Sequence, residues 1–122
     1  MHNILVIDDD AAIRTFLRRF LEKEGFHVSE AEDGEAALRR LDNGPADLVI
    51  VDIFMPRKDG FETIREIKGR KSPCKILAIS GGGSIGRLDY LDLAKIFGAN
   101  AVLAKPISRD ALITTVSTLA MA

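Results

Sequence analysis

Cysteine is almost missing from these 122 residues, and histidine nearly so. The single cysteine, Cys74, excludes an internal disulfide, and with only His2 and His27 beside it a soft zinc site lacks ligands. No sign of charge dominates: 17 Lys and Arg against 18 Asp and Glu give a formal net charge of −1. That excludes the basic footprint of a dedicated nucleic-acid binder. No apolar run approaches the roughly 20 residues of a membrane span, and no signal-peptide pattern opens the chain. Linkers, low-complexity tracts and internal repeats are missing as well. What is present is a globular balance, 47% hydrophobic and 29% charged, enough for one core without staples. The expectation is a single soluble domain over residues 1–122, in a reducing, cytoplasmic compartment.

Short apolar runs recur at Ile4–Ile7, Leu48–Val51, Ile76–Ile79 and Ala101–Ala104. Each is continuous rather than alternating, the pattern of strands covered on both faces of a parallel sheet. A weaker run, His27–Ala31, suits a strand nearer an edge. Helical spacing fills the gaps. Ile13, Phe16, Leu17, Phe20 and Leu21 form one apolar stripe, ended by Gly25. Ala36, Ala37, Leu38 and Leu41 form a second, stopped by Asn43, Gly44 and Pro45. A third helix is expected over about Phe61–Lys68, closed by Gly69. Tyr90, Leu93, Ala94 and Phe97 mark a fourth, widened by Leu88 and Leu91 and followed by Gly98. Ser108 can cap a fifth, with Asp110 in its first turn and Leu112, Val116 and Leu119 inward. Five strand–helix repeats with right-handed crossovers give an α/β three-layer sandwich around a parallel sheet.

In such a sheet, ligands bind beyond the carboxyl ends of the strands. The first run ends in Asp8, Asp9 and Asp10, and the central one in Asp52. The next ends in Ser80 and the last leads to Lys105–Pro106. All should open on one edge. Asp8, Asp9 and Asp52 together are a costly group of like charges, relieved by a hard divalent cation and a lysine. Lys105 can act as a point charge for a phosphate, and the Ser80 hydroxyl as a donor to it. One carboxylate could accept a phosphoryl group as an acyl phosphate. Asp10 is expected to cap the first helix rather than bind metal.

These residues carry a resemblance. Ile4–Asp10 (ILVIDDD), Asp47–Pro56 (DLVIVDIFMP), Asp59–Gly60, Ser80–Gly81 and Lys105–Pro106 together resemble a response-regulator receiver domain, the CheY-like family. The resemblance implies a flavodoxin-like (βα)5 fold with strand order 2-1-3-4-5. It implies that Asp52 is the phosphoacceptor and that Asp8 and Asp9 hold magnesium, or manganese in its place, Asp9 directly and Asp8 through water. The backbone carbonyl of Phe54 would complete the metal site. Ser80 and Lys105 would grip the phosphoryl group, with a cis peptide between Lys105 and Pro106. The implied donor is a phosphohistidine of a sensor histidine kinase or histidine phosphotransfer protein. The implied output is a protein contact through the fourth helix, fifth strand and fifth helix, with no nucleic acid or membrane partner and no enzymatic turnover beyond self-phosphorylation and self-dephosphorylation. With the fifth helix reaching the end of the sequence, no output domain is expected.

Three features depart from the family pattern. Val102 stands three residues before Lys105, where many receivers carry a switching aromatic ring. The Ser80–Lys105 segment is a few residues long for the family, with the surplus in Gly81–Gly86, four of whose residues are glycine. That stretch, GGGSIG, also satisfies G-x-G-x-x-G, but it follows the fourth run instead of the first. The acid expected about 20 positions on is replaced by Lys105–Pro106, against a dinucleotide site. A phosphatase or phosphotransferase of the haloacid dehalogenase type would also use a strand-end aspartate. It needs a second acid two residues later, where this chain has Phe54. His27 reads as a strand-edge residue and Cys74 as a core or loop thiol.

Overall fold

Every apolar run becomes a strand. The strands are β1 (Asn3–Ile7), β2 (His27–Ala31), β3 (Leu48–Asp52), β4 (Lys75–Ser80), β5 (Ser84–Ile85), β6 (Leu88–Asp89) and β7 (Ala101–Ala104). The helices are α1 (Ala11–Lys23), α2 (Gly34–Asn43), α3 (Gly60–Lys68), α4 (Tyr90–Phe97) and α5 (Arg109–Met121). Five strands form one parallel sheet in the order β2-β1-β3-β4-β7, which is the expected 2-1-3-4-5 order once the short ribbon β5–β6 is set aside. The computed structural model describes residues 2–53, 60–70, 74–81, 84–85 and 88–121. Phe54, Gly82, Gly83 and Gly86 lie outside the described residues.

Two apolar layers hold the helices to the sheet. On one face Leu17 and Leu21 of α1 and Leu112 and Val116 of α5 pack against Ile4, Val6, Ile50 and Leu77. On the other, Ala37, Ile64, Ile67 and Ala94 of α2, α3 and α4 pack against Leu5, Val49, Val51 and Ala78. Each fully buried Leu or Ile contributes roughly 1.5–3 kcal/mol, so the central strands carry much of the stability. Helix ends follow their sequence signals. Asp10 caps α1 through its Oδ1, which accepts from the Ala12 N–H at 2.9 Å and the Ile13 N–H at 3.4 Å. Beyond α1, Gly25 adopts φ 94°, a left-handed conformation that a side chain would resist. Ser108 Oγ accepts from the Ala111 N–H at 3.3 Å, capping α5 as expected.

The structure corrects five expectations. Phe16, placed inward by periodicity, is 47% exposed, because the contact of α1 with the sheet is filled by the buried Leu17 and Leu21 with Ile13 and Phe20 packed partly against them. Phe97 likewise sits at the surface; among the described side chains of α4, Ala94 is the one buried in the core and Tyr90 packs partly buried against it. Leu88 is not on the fourth helix; it belongs to β6, and α4 starts only after the Asp89 carboxylate accepts from the Asp92 N–H at 2.7 Å. The Gly81–Gly86 stretch is not simply loop, for Ser84–Ile85 pairs antiparallel with Leu88–Asp89. Finally, β7 is only half buried despite its continuous apolar run, because it forms the sheet edge opposite β2.

Candidate functional site

The parallel register sets the site. Ile7 pairs with Val51, so Asp8, the next residue, emerges level with Asp52 at the end of β3. Asp52 is paired with Ile79 and Ser80 with Ala104, which brings Ser80 and Lys105 to the same edge. The Lys105 N–H donates to the Ser80 carbonyl at 2.8 Å, and the Lys105–Pro106 peptide is cis. Asp8 and Asp52 are 3% and 6% exposed and Ser80 is fully buried, whereas Asp9 faces solvent.

Among the described residues, four charges converge there. Carboxylate oxygens of Asp8, Asp9 and Asp52 lie within 4.8 Å of one another. The Lys105 Nζ approaches Asp52 Oδ2 at 3.5 Å and Asp8 Oδ2 at 3.9 Å. Among the described residues, three acids against one lysine leave an excess of negative charge, and burial makes that excess expensive. The Asp8 carboxyl shows it. Its pKa is pushed up to about 6, first by burial and then by the negative charges of Asp52 and Asp9, against the Asp10 N–H hydrogen bond and the Lys105 ammonium, which pull it down. The donor set, all oxygen, partly buried and over-charged, fits a hard divalent cation.

Asp8 and Asp52 both stand on backbone that is itself held in place. Asp8 Oδ1 accepts from the Asp10 N–H at 2.9 Å, so the turn into α1 holds both the acid and the helix cap. Asp52 is followed by Ile53, whose N–H donates to the Ile79 carbonyl at 3.0 Å and whose carbonyl accepts from the Gly60 N–H at 2.8 Å. Gly60 lies hard against this backbone. A Cβ there would meet Ile53 Cα at 2.5 Å and the Asp52 carbonyl oxygen at 2.6 Å, so glycine is required directly behind Asp52.

Asp8, Asp9, Asp52, Ser80 and Lys105 are thus brought to one strand-end edge, as the sequence suggested, and Phe54 falls outside the described residues. Val102 packs partly buried against the α2–α3–α4 layer, as a strand-core residue. Tyr90 packs against the same layer, its ring 5.9 Å from that of Phe61. Cys74 is half-buried, and burial pushes its thiol pKa up, against any special reactivity. Sequence reasoning missed Arg14 and Glu30. The Arg14 Nη1 donates to the Asp8 carbonyl at 2.6 Å and its Nε to Glu30 Oε1 at 3.2 Å. A signal was there: Arg14 shares the i, i+3, i+7 face of Leu17 and Leu21, a charge on an apolar stripe.

The chain matches the response regulator receiver domain family over residues 4–117. It is 34% identical over 116 residues to the transcriptional regulatory protein CpxR of Escherichia coli K12, covering 95% of this chain and 48% of that protein. It is 37% identical over 117 residues to the response regulator MprA of a Mycobacterium species, covering 95% and 49%. Among solved structures, the response regulator protein TrrA of Thermotoga maritima, in complex with Mg2+–BeF, superposes with a TM-score of 0.84 at 37% identity, covering 98% of this chain and 99% of that one. The chain spans about half the length of CpxR and MprA. With the family model matched across nearly the whole fold and the strand-end acids, serine and lysine in place, the chain belongs to the response regulator receiver domains.

Proposed function

We propose that this receiver accepts a phosphoryl group on the Asp52 carboxylate from a phosphohistidine of a partner protein and passes the signal on through protein contacts. The observation that carries the reading is the Lys105 ammonium 3.5 Å from Asp52 Oδ2, within a group of three carboxylates. Among the three, Asp52 is the suited nucleophile. Asp8 is drawn toward its neutral form and its Oδ1 is occupied by the Asp10 N–H, while Asp9 stands out in solvent.

In the transfer, an Asp52 oxygen attacks phosphorus in line. The O–P bond forms as the N–P bond breaks, and the electron pair leaves with the imidazole nitrogen. Lys105 balances charge on the phosphoryl oxygens, and the Ser80 hydroxyl donates to one of them. Later attack by water on phosphorus returns the carboxylate and inorganic phosphate. Asp8, Asp9 and Asp52 would hold magnesium, with the Phe54 carbonyl completing the set; a bound cation supplies charge neutralisation between the acids and the phosphoryl oxygens. The Mg2+–BeF complex of TrrA supports this choice of metal. The donor is a sensor histidine kinase or a histidine phosphotransfer protein, and the output surface includes α4, β7 and α5. The dehalogenase-type alternative has no support: the family match is to receivers, and Phe54 occupies the place of its second acid.

Incubation with acetyl phosphate and magnesium, followed by intact-mass measurement, tests the reading. Expected is one labile, metal-dependent phosphate that disappears in Asp52→Asn. Unchanged labelling of Asp52→Asn would sink the assignment.

A further inference from the structure

Arg14 stands outside the acids, serine and lysine, yet it grips the chain at the point where two of those acids are joined. Its Nη1 donates to the Asp8 carbonyl at 2.6 Å, and its side chain is only 16% exposed. Its Nε donates to Glu30 Oε1 at 3.2 Å, while the other Glu30 oxygen accepts from Arg18 Nη1 at 2.9 Å. The two guanidiniums hold the Glu30 carboxyl below its ordinary range, Arg18 contributing most. From the other side, the Asp8 N–H donates to the Ala31 carbonyl of β2 at 3.2 Å.

Both peptide units flanking Asp8 are therefore fixed. The Ile7–Asp8 unit is tied to the β2 backbone, and the Asp8–Asp9 unit is tied by its oxygen to Arg14. A peptide unit is planar, so fixing the Asp8 oxygen sets the direction in which the chain leaves toward Asp9 and Asp10. The charges that move the Asp8 carboxyl are those of Asp52, Lys105 and Asp9, and Arg14 is not among them. Its action is on the backbone rather than on the acid's charge. Glu30 matters because a second hydrogen bond on the same planar guanidinium locks its rotamer and so holds Nη1 on the Asp8 carbonyl.

Resting on the reading of Asp8, Asp9 and Asp52 as the metal-holding acids, we propose that Arg14 is a positioning residue that, braced by Glu30, fixes the Asp8–Asp9 peptide so that a buried and an exposed carboxylate stand ready beside Asp52 for a divalent cation. Two readouts test it: calorimetric titration with magnesium chloride, and the magnesium dependence of labelling by acetyl phosphate. The chains are wild type, Asp9→Ala, Arg14→Ala, Arg14→Gln and Arg18→Ala, each checked for folding by circular dichroism. Arg14→Ala should raise the magnesium Kd roughly tenfold, the low end of what losing an outer-shell partner costs, and Arg14→Gln should do so by a smaller factor. The labelling rate of Arg14→Ala at saturating magnesium should recover to within about twofold of wild type, with only the half-saturating concentration shifted. Arg18→Ala removes an exposed pair to the same Glu30 without touching Asp8, and its Kd should stay within about twofold.

A folded Arg14→Ala or Arg14→Gln that binds magnesium as tightly as wild type overturns the proposal. An equal loss in Arg18→Ala overturns it too, because the effect would then belong to α1 docking in general. Wild type without magnesium affinity, or Asp9→Ala binding as tightly as wild type, brings down the reading of the acids and this proposal with it. With those two arms as expected, the Arg14 arms judge the proposal alone.

Discussion

The two flanks of the sheet are built differently. On the α1–β2 side, α1 is capped by Asp10, seated by the buried Leu17 and Leu21, and cross-tied to β2 through Arg14, Arg18 and Glu30. On the α4–β7 side, among the described side chains of α4, Ala94 is buried at the core with Tyr90 packed partly against it, Ile96 is 68% exposed, and the strand beside it is half covered. The site draws on both. Its acids issue from β1, buried from Ile4 to Ile7, and from the fully buried β3, and its lysine from the lightly packed edge strand β7. Charges that must stay close against repulsion are thus carried by stiff elements, and the cation that answers them by a looser one. A phosphoryl group recruiting Lys105 and Ser80 would meet least resistance on the α4–β7 flank, where local opening costs less.

The contrast can be broken most sharply by equivalent truncations. Leu21→Ala on the seated flank should cost about 3 kcal/mol, within the range for emptying a buried leucine site. Ile96→Ala on the other should cost less than about 0.5 kcal/mol. Urea denaturation of the two variants checks this, and similar costs would erase the distinction.

Next comes the repulsion that the stiff strands contain. Because the Asp8 pKa is about 6 in the fold and 3.8 as an ordinary carboxyl, folding takes up a proton between those values. The metal-free protein therefore loses stability from this group as pH rises through the window from 3.8 to about 6, and the penalty is complete above it. Asp8→Asn keeps an oxygen for the Asp10 N–H without the charge. In EDTA at pH 7.5 it should be more stable than wild type by up to about 3 kcal/mol, with the gain vanishing near pH 4. Denaturation curves across pH decide it; a gain independent of pH would place the effect elsewhere. The smallest expected change tests the turn that joins acid to helix. Asp10→Ala removes the α1 cap and should cost about 1 kcal/mol, while Asp10→Asn should cost almost nothing. Thermal melts of both variants separate the cap from the charge.

Much of this was legible in the residues. Continuous runs at Ile4–Ile7 and Leu48–Val51 announced covered strands, and the residues after each run announced the site. The run at Ala101–Ala104 looked the same, yet it forms an edge, because apolarity reports a preference for burial and not how many neighbours the fold supplies. Phe16 and Phe97 misled for the same reason: a stripe of apolar residues is wider than the surface available to bury it. Gly60 stood within a recognised pair, but nothing in the sequence said that its missing Cβ makes room for the Asp52 backbone.

By itself the sequence determined the strand–helix alternation, the strand-end acids and the serine and lysine that complete them, because hydrophobic period and residue chemistry are local. Only the tertiary structure decided that Asp8, Asp9 and Asp52 share one small space with Lys105 and that Arg14 reaches the Asp8 carbonyl. Those facts depend on sheet order and register, which place residues tens of positions apart within a few ångströms, and no local pattern encodes that distance.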